Sequence, residues 1–515
     1  MRPGDYFSAA VALATVASAS FDGNLNYHSP SKRHSGLGIN LPLVYHRSWK
    51  RSNTAYDASE LKFTHGVASG DPWADSVILW TRIAPSNESD PSTAPVEGTV
   101  DVYSHDTETY IKADSNPICV DWKVFKESRG KASDHVVSKG KAYTTSDIDY
   151  TVKVEAKGLR PFTSYFYQFS VCDSDNKSPL GRMKTAPRDQ DRVDEINFAV
   201  FSCGNYPSGY FNAYGNAARK DNHDFVIHLG DYIYENKAGG ERAHKPANLL
   251  FTLHDYRTRH GQYRADPDLQ LLAQNFAWIP TWDDHEIANN GYRDGFSALN
   301  NTEESFLNDG PQITVDTRKV HAVRAYFEWM PIRQTDLDDN LRIWRSFKMG
   351  RLLDLVVLDT RNYDRSITSL GWNDNYIDLI RDDPSRTLMG GRQESWFYRS
   401  LSESKERGAT WRIVGNQIIF SRIFSNDKGS MSGDNWNGYI ANRNRTLKHL
   451  YDNNIGNNIF LAGDSHQNWN HLARPIAGGK AESGALRFGE VKHTNLTLNT
   501  ETGEWKVIGF DKMYL

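Results

Sequence analysis

Five apolar runs of strand length in the second half of the chain each stop at a polar cluster. Residues 196–202 run into Cys203-Gly204-Asn205, and 225–229 into Gly230-Asp231-Tyr232-Ile233-Tyr234-Glu235. Residues 276–282 run into Asp283-Asp284-His285-Glu286, 352–358 into Asp359-Thr360-Arg361, and 459–462 into Gly463-Asp464-Ser465-His466. Open α/β sheets collect their sites outside the carboxyl ends of strands. The clusters therefore converge on one edge and bring thiol, carboxylate, phenol, imidazole and guanidinium groups together. Anionic groups crowded in this way repel one another unless cations neutralise them. A thiolate beside Asp and His suits a transition metal. Surplus carboxylate and amide oxygens suit a hard cation such as Ca²⁺ or Mg²⁺. Two ions ~3.5–4 Å apart can clamp a phosphoryl group and activate a water. Taken singly, each residue has an ordinary reading: a buried thiol at Cys203, a capping Asp231, a loop pair at Asp283 and Asp284, a core His466. Recurrence at five strand ends is what those readings leave unexplained.

The elements that must position these groups fall into two blocks. Residues 61–190 read as all-β, with short alternating runs separated by turn signals and no amphipathic helical stretch. Gly158-Leu159-Arg160-Pro161 followed by Thr163, Tyr165 and Tyr167 resembles the tyrosine corner of an immunoglobulin-like or fibronectin-like sandwich. The polar stretch 181–194 is the best domain boundary. From 191 to 515, apolar runs alternate with helical stretches near 208–220, 255–275, 318–330, 392–404 and 440–452, the pattern of a layered α/β domain. Residues 20–60 form a polar lead-in without clear periodicity.

The chain has 515 residues, with 60 Lys+Arg against 64 Asp+Glu and a net charge of −4. That balance gives no case for a nucleic-acid-binding surface. No run approaches the ~20 apolar residues that span a bilayer. Residues 1–19 fit a signal peptide: an Arg near the start, an apolar stretch from Phe7 to Val16, and Ala17-Ser18-Ala19 as an A-x-A cleavage site. A frayed surface helix is the other reading. N-x-S/T sequons begin at Asn87, Asn176, Asn300, Asn444 and Asn495, and Pro179 weakens the second. Of three cysteines, Cys119 and Cys172 lie on predicted strands of the β block. In an oxidising compartment a disulfide between them is plausible; two unpaired buried thiols also fit. Cys203 is then the odd one.

The motifs S-C-G-N at 202–205, L-G-D-Y-I-Y-E at 229–235, W-D-D-H-E at 282–286, L-D-T-R at 358–361 and G-D-S-H at 463–466 resemble the PhoD-type alkaline phosphatases of the calcineurin-like metallophosphatase superfamily. The resemblance extends to the upstream β block, which opens with F-T-H-G-V-A-S-G-D-P at 63–72, and covers roughly residues 60–515. It implies an N-terminal β-sandwich followed by a layered αββα metallophosphatase domain. It also implies a secreted, phosphate-scavenging enzyme that hydrolyses phosphate mono- and diesters by a metal-activated hydroxide, with iron(III) and calcium as cofactors. Carried over residue by residue, Cys203, Asp231, Tyr234 and His466 hold the iron. Asp231 bridges to calcium, joined by Asp284 and Asp464. Asn205 and Asn289 are weaker candidates for the calcium or phosphate shell. Oxygen donors at 284 and 464 agree with a hard ion. No twin-arginine motif precedes the apolar N-terminal stretch, so a general secretory route fits better than a folded-protein one.

In this reading Arg361 clamps the equatorial phosphoryl oxygens, or alternatively pairs with Asp359. Arg365 is a second clamp, and His285 protonates the leaving oxygen or holds the phosphoryl group. Trp282, Trp436, Trp469 and Tyr439 either wall the pocket or belong to the core. The competing functions are a phosphodiesterase of phospholipase D-like specificity on the same site, a secreted calcium-binding module without activity, and a zinc- or manganese-loaded relative of purple acid phosphatases, against which Cys203 argues. The enzyme reading takes phosphate esters as partners and expects a monomer.

Overall fold

The computed structural model describes residues 23–26, 56–85, 102–104, 109–111, 116–297, 313–334, 341–421 and 433–466, with four further strand backbones between 470 and 508. The signal-peptide segment 1–19, most of the lead-in, Asn87, Asn300, Trp469 and the side chain of Asn495 lie outside the described residues.

The inner parallel strands Phe225–His228 and Ala277–Pro280 are apolar runs buried on both faces, whereas the edge strand Phe198–Phe201 is partly exposed. The central sheet runs Phe198–Phe201, Phe225–His228, Ala277–Pro280, Val67–Gly70, Ser76–Arg82, Thr151–Lys157. Its first four strands pair in parallel, and the last two are added by antiparallel pairings. Alternation sorts the side chains. Phe225, Ile227, Ala277 and Ile279 face a second sheet, where they meet Leu353, Leu355, Val357, Ile413 and Ile459. Val226, Trp278, Ala68 and Trp80 point the other way, into a layer built with helices α1 (Asn212–Lys220), α2 (Leu253–Arg264), α3 (Pro267–Asn275) and α4 (Val315–Trp329).

The second sheet runs Arg345–Met349, Leu353–Val357, Trp411–Gly415, Asn458–Leu461, Asn470–Ala473, Gly484–Leu486. A short helix α5 spans Asp374–Ile380. The sheet's outer face packs Val356, Leu358, Val414 and Phe460 against α6 (Gly390–Glu406) and α7 (Ile440–Asp452), through Phe397, Leu401 and Leu450. A third, antiparallel sheet runs Gly181–Lys184, Ser164–Val171, Ile118–Ser128, Lys131–Thr144. Its Val120, Val124, Tyr165 and Phe169 share a core with Leu79, Val152 and Val154. The Tyr165 hydroxyl accepts the backbone N–H of Arg160 at 2.8 Å, the reach-back of a tyrosine corner. Cys119 and Cys172 are disulfide-bonded, and Cys203 is a free thiol.

The structure differs from the sequence reading in how the blocks join. The strand Val67–Gly70, from the N-terminal block, pairs in parallel with Ala277–Pro280, setting Ala277 against Ser69 and Trp278 against Gly70. Three N-terminal strands thus extend the sheet that carries the polar clusters, and the block is not a self-contained sandwich. A Cβ at Gly70 would sit 2.2 Å from the Pro331 carbonyl oxygen, so glycine is what admits this close packing. Sequence patterns carry no signal for a partner two hundred residues away.

Helix α2 is the second surprise. All twelve of its residues are buried, although they include Arg257, Arg259, Arg264, His254 and His260. No amphipathic stripe marks it, because it has no solvent face. Thr252 and Asp255 close its start as a reciprocal capping box.

A shared sheet and a continuous core couple the two blocks. Scanning calorimetry should therefore show them melting in one cooperative transition. Two resolved transitions would contradict the shared sheet.

Candidate metal centre

Each cluster sits where a strand of one of the two large sheets ends and the chain turns sharply. Cys203, Asp231, Asp464 and His466 all take left-handed backbone conformations, with φ of 58°, 54°, 61° and 53°. Such conformations cost about 1–3 kcal/mol each outside glycine and persist only where the surroundings enforce them. Backbone bonds enforce them here. Cys203 N–H donates to the Gly230 carbonyl at 3.1 Å, and Gly204 N–H to the Asp231 carbonyl at 2.9 Å. Gly230 has φ 107°, and a Cβ there would lie 2.3 Å from the Asp283 nitrogen.

Two buried side chains that the sequence reading assigned no role lock the turns together. Glu286 accepts N–H bonds from Asp231 (3.1 Å), Asp283 (2.7 Å) and Tyr232. Gln417 donates to the carbonyls of Trp282 (2.8 Å) and Leu358 (2.7 Å) and accepts from Thr360 N–H (3.0 Å) and its hydroxyl (2.6 Å). The Gln417 carbonyl also accepts the Gly463 N–H at 2.7 Å. One residue, through its side-chain amide and its backbone carbonyl, thus ties together three of the five strand ends.

Ligand atoms of Cys203, Asp231 and His466 lie within 4.8 Å of one another. The same holds for Asp231, Asp284 and His285, and for Asp283, Asp284 and Asp464. Tyr234 joins the first group: its hydroxyl donates to Asp231 Oδ2 at 3.2 Å and lies 3.1 Å from His466 Nε2. All six residues proposed as ligands are therefore brought together, with Asp283 as an addition. The donor chemistry fits cations. Asp231 Oδ1 and Asp283 Oδ2 are buried and accept no hydrogen bond. Burial, then repulsion from Asp284, Glu286 and Asp464, pushes the Asp231 carboxyl well up despite the opposing pull of His285. Burial raises Asp464 to about 6 and Glu286 to about 7. Burial, with Asp231 adding to it, holds the Cys203 thiol well above its usual range, and both also raise the Tyr234 phenol. Carboxylates in such a setting ionise together only if positive charge is placed among them.

Arg361 supplies part of that charge. Its wholly buried guanidinium pairs with Asp283, Asp434 and Asp464, and approaches Asp284 at 3.8 Å. The expectation of an open phosphoryl clamp is corrected on this point: no surface of Arg361 is presented to a ligand. Nor does its side chain pair with Asp359, whose Oδ1 accepts the Arg361 and Asn362 backbone N–H groups at 2.9 Å. Asp434 lies in a loop whose motif gave no chemical signal. Arg365 is likewise wholly buried, bonded to the Gly291 carbonyl at 3.0 Å and to Asp434. It positions Asp434 and is not a second clamp.

His285 is half-buried, and its Nδ1 lies 2.6 Å from Glu235 Oε2. Burial opposes its charge, but Glu235, Asp284 and Asp231 outweigh that and raise it well above the usual range. Glu235, the last residue of its motif, also accepts the Asn289 N–H at 2.7 Å. The Asn289 amide donates to the Ser297 hydroxyl at 2.7 Å. Asn205 follows Cys203, and its Oδ1 is buried without a partner. Trp282, Trp436 and Tyr439 are fully buried core residues. Trp282 Nε1 donates to Asp359 Oδ2 at 2.9 Å, and Trp436 Nε1 to Asn416 Oδ1 at 3.1 Å. Among the sequons, Asn444 is exposed on α7, whereas the Asn176 amide is half-buried and donates to the Ala58 and Leu61 carbonyls.

The geometry at Gly230 generates a comparison. Gly230→Ala should destabilise by ~3 kcal/mol or more, through backbone strain and a clash with the next turn. Gly158→Ala, at φ 75° with nothing within 4 Å, should lose about 1–2 kcal/mol from strain alone. Denaturant midpoints that reverse this order would contradict the close approach of the two turns.

Residues 198–509 match the family model of the PhoD-like phosphatases, and residues 48–187 match that of the PhoD-like phosphatase N-terminal domain. Alkaline phosphatase D of Bacillus subtilis (strain 168) is 34% identical over 446 residues, covering 84% of this chain and 70% of that protein. A solved structure of PhoD superposes with a TM-score of 0.66 at 33% identity, covering 81% of this chain and 74% of its own. The chain belongs to the PhoD-like phosphatase family and is a phosphoric ester hydrolase with a cluster of metal-binding groups at the carboxyl edge of its sheets.

Proposed function

We propose that the protein is a secreted phosphatase acting on phosphate mono- and diesters, holding iron(III) through Cys203, Asp231, Tyr234 and His466 and calcium through Asp231, Asp284 and Asp464. The observation that carries this reading is that the three donor groups overlap, sharing Asp231 and Asp284. A thiol, a phenol and an imidazole around Asp231 favour a transition metal; the oxygen-only set of Asp283, Asp284 and Asp464 favours a hard cation. Bound there, the cations supply Lewis acidity to the phosphoryl oxygens and lower the pKa of a coordinated water.

The chain's own residues do the rest. Asp231 belongs to two of the overlapping donor groups, so its position would set the spacing of the two sites. His285, held by Glu235, keeps a proton at Nε2 beside the ligand Asp284, and delivers it to the leaving oxygen. Glu235 positions His285 and, through the Asn289 N–H, the loop after Asp284. Asn205 Oδ1 is unpartnered beside Cys203 and completes the shell around the cations or the phosphate. Asn289 is half-buried near the rim and serves the same shell. Arg361 balances the carboxylates from beneath. Family membership sets aside the non-enzymatic calcium module. Export is supported by the N-terminal segment, the sequons and the disulfide, and phosphate scavenging is what the family resemblance implies for an exported phosphatase.

Two measurements test the metal assignment. Cys203→Ser should lose bound iron and its visible charge-transfer absorption, with turnover of p-nitrophenyl phosphate and bis(p-nitrophenyl) phosphate down at least about 100-fold. Full iron content in that variant would sink the iron site, and the two substrates rank monoester against diester use. Arg361→Gln removes the buried counter-charge and should lose about 3–5 kcal/mol of stability in chelator. Calcium should restore much of that loss. A melting midpoint indifferent to calcium in both proteins would argue against a hard cation at this rim.

A further inference from the structure

The buried helix α2 disposes of two of its three arginines within the protein. Arg257 pairs with Glu328 through two bonds of 2.6 Å. Arg259 donates to the backbone carbonyls of Tyr234, Asn236, Lys245 and Pro246. Arg264, at the end of the helix, is only 1% exposed, and its Nε and Nη2 are buried with no acceptor. Its guanidinium lies over Trp80, 4.6 Å from the ring centroid, and no carboxylate among the described residues forms an ion pair with it.

Other polar groups of the same buried cluster share this condition. Both ring nitrogens of His65 and of His260, the Trp278 Nε1 and the Tyr326 hydroxyl are buried without partners. They belong to one aromatic layer. His65 meets Trp329 at 5.1 Å and Trp80 meets Trp329 at 5.7 Å. His260 lies 6.0 Å from Tyr232 and 6.2 Å from Tyr326. Burial lowers both histidines, with Arg264 contributing, so they are neutral. The acidic groups near the layer are committed elsewhere: Asp149 to Arg82 and the Trp329 Nε1, Glu328 to Arg257 and Arg324, Asp266 to Arg242, Asp71 to Arg345, and Glu286 to backbone N–H groups.

Arg264, hydrogen-bonded to Tyr232 but without an ion-pair partner among the described residues, therefore sits in a buried aromatic layer among N–H and O–H donors. Water would satisfy their hydrogen bonds but leave the charge unbalanced, and an unbalanced buried charge is far costlier than an unmade hydrogen bond. We propose that this layer holds a monovalent inorganic anion of chloride type on Arg264, with donors from His65, His260, Trp278 or Tyr326 around it. A single guanidinium balances a single negative charge, which disfavours phosphate or sulfate. The anion would brace α2 behind Tyr232, the neighbour of the ligand Asp231, independently of which metals the rim takes.

The test uses the metal-loaded enzyme. Crystals grown in sodium bromide should show an anomalous peak within hydrogen-bond distance of Arg264. At matched ionic strength, the melting midpoint should rise by about 2 °C per tenfold chloride over gluconate, once chloride exceeds its dissociation constant. Arg264→Gln should flatten that response. Ordered water without an anomalous peak would overturn the proposal. A peak with a chloride-independent midpoint would mean binding at crystal concentration only, and would also overturn it. Should the variant fail to fold, the wild-type titration and the bromide crystals still decide.

Discussion

Carboxylates packed into a largely buried rim set the terms for the rest of this structure. Asp231, Asp283, Asp284, Asp434 and Asp464 meet where five strands end, opposed from within the protein by Arg361, Arg365 and His285. Left alone, such a cluster would drive its turns apart. It is held by backbone geometry, with left-handed turns at four of the proposed ligands. Glu286 and Gln417 then sew the turns to one another with buried hydrogen bonds. Both are needed because a donor set is useful only when its atoms are fixed before the ion arrives.

The same economy of position explains why Arg361 lies below the rim. A guanidinium reaching three carboxylates at once steadies the acidic residues at the cost of being unavailable to a phosphoryl group. Arg365 performs a similar service one step further out, holding Asp434. What reads in a linear motif as a substrate clamp is, in three dimensions, a counter-charge.

Behind the rim, the scaffold is unusually polar. The wholly buried α2 and the layer around Trp80, Trp278 and Trp329 lie between the shared central sheet and α4. Tyr232 joins that layer to the turn at Asp231. The N-terminal strands are part of this support, since Trp80 and Ala68 come from them. The N-terminal block is thus a wall of the scaffold that carries the site, which gives it a physical reason to travel with the catalytic part.

The gathering of Cys203, Asp231, Tyr234, Asp284, Asp464 and His466 was legible in the sequence, because strand-length apolar runs end at each cluster and sheets present such ends on one edge. The β character of residues 61–190 and the paired cysteines were legible for similar reasons: alternation and turn residues act locally. Four features were not. The parallel pairing of Val67–Gly70 with Ala277–Pro280, the roles of Glu286 and Gln417, the burial of Arg361 and the solvent-free setting of α2 all depend on partners far away in the chain. Local pattern specifies which groups exist and which element carries them. Which of them pair, and which are left to seek a charge from outside, is settled only when distant segments compete for the same buried space.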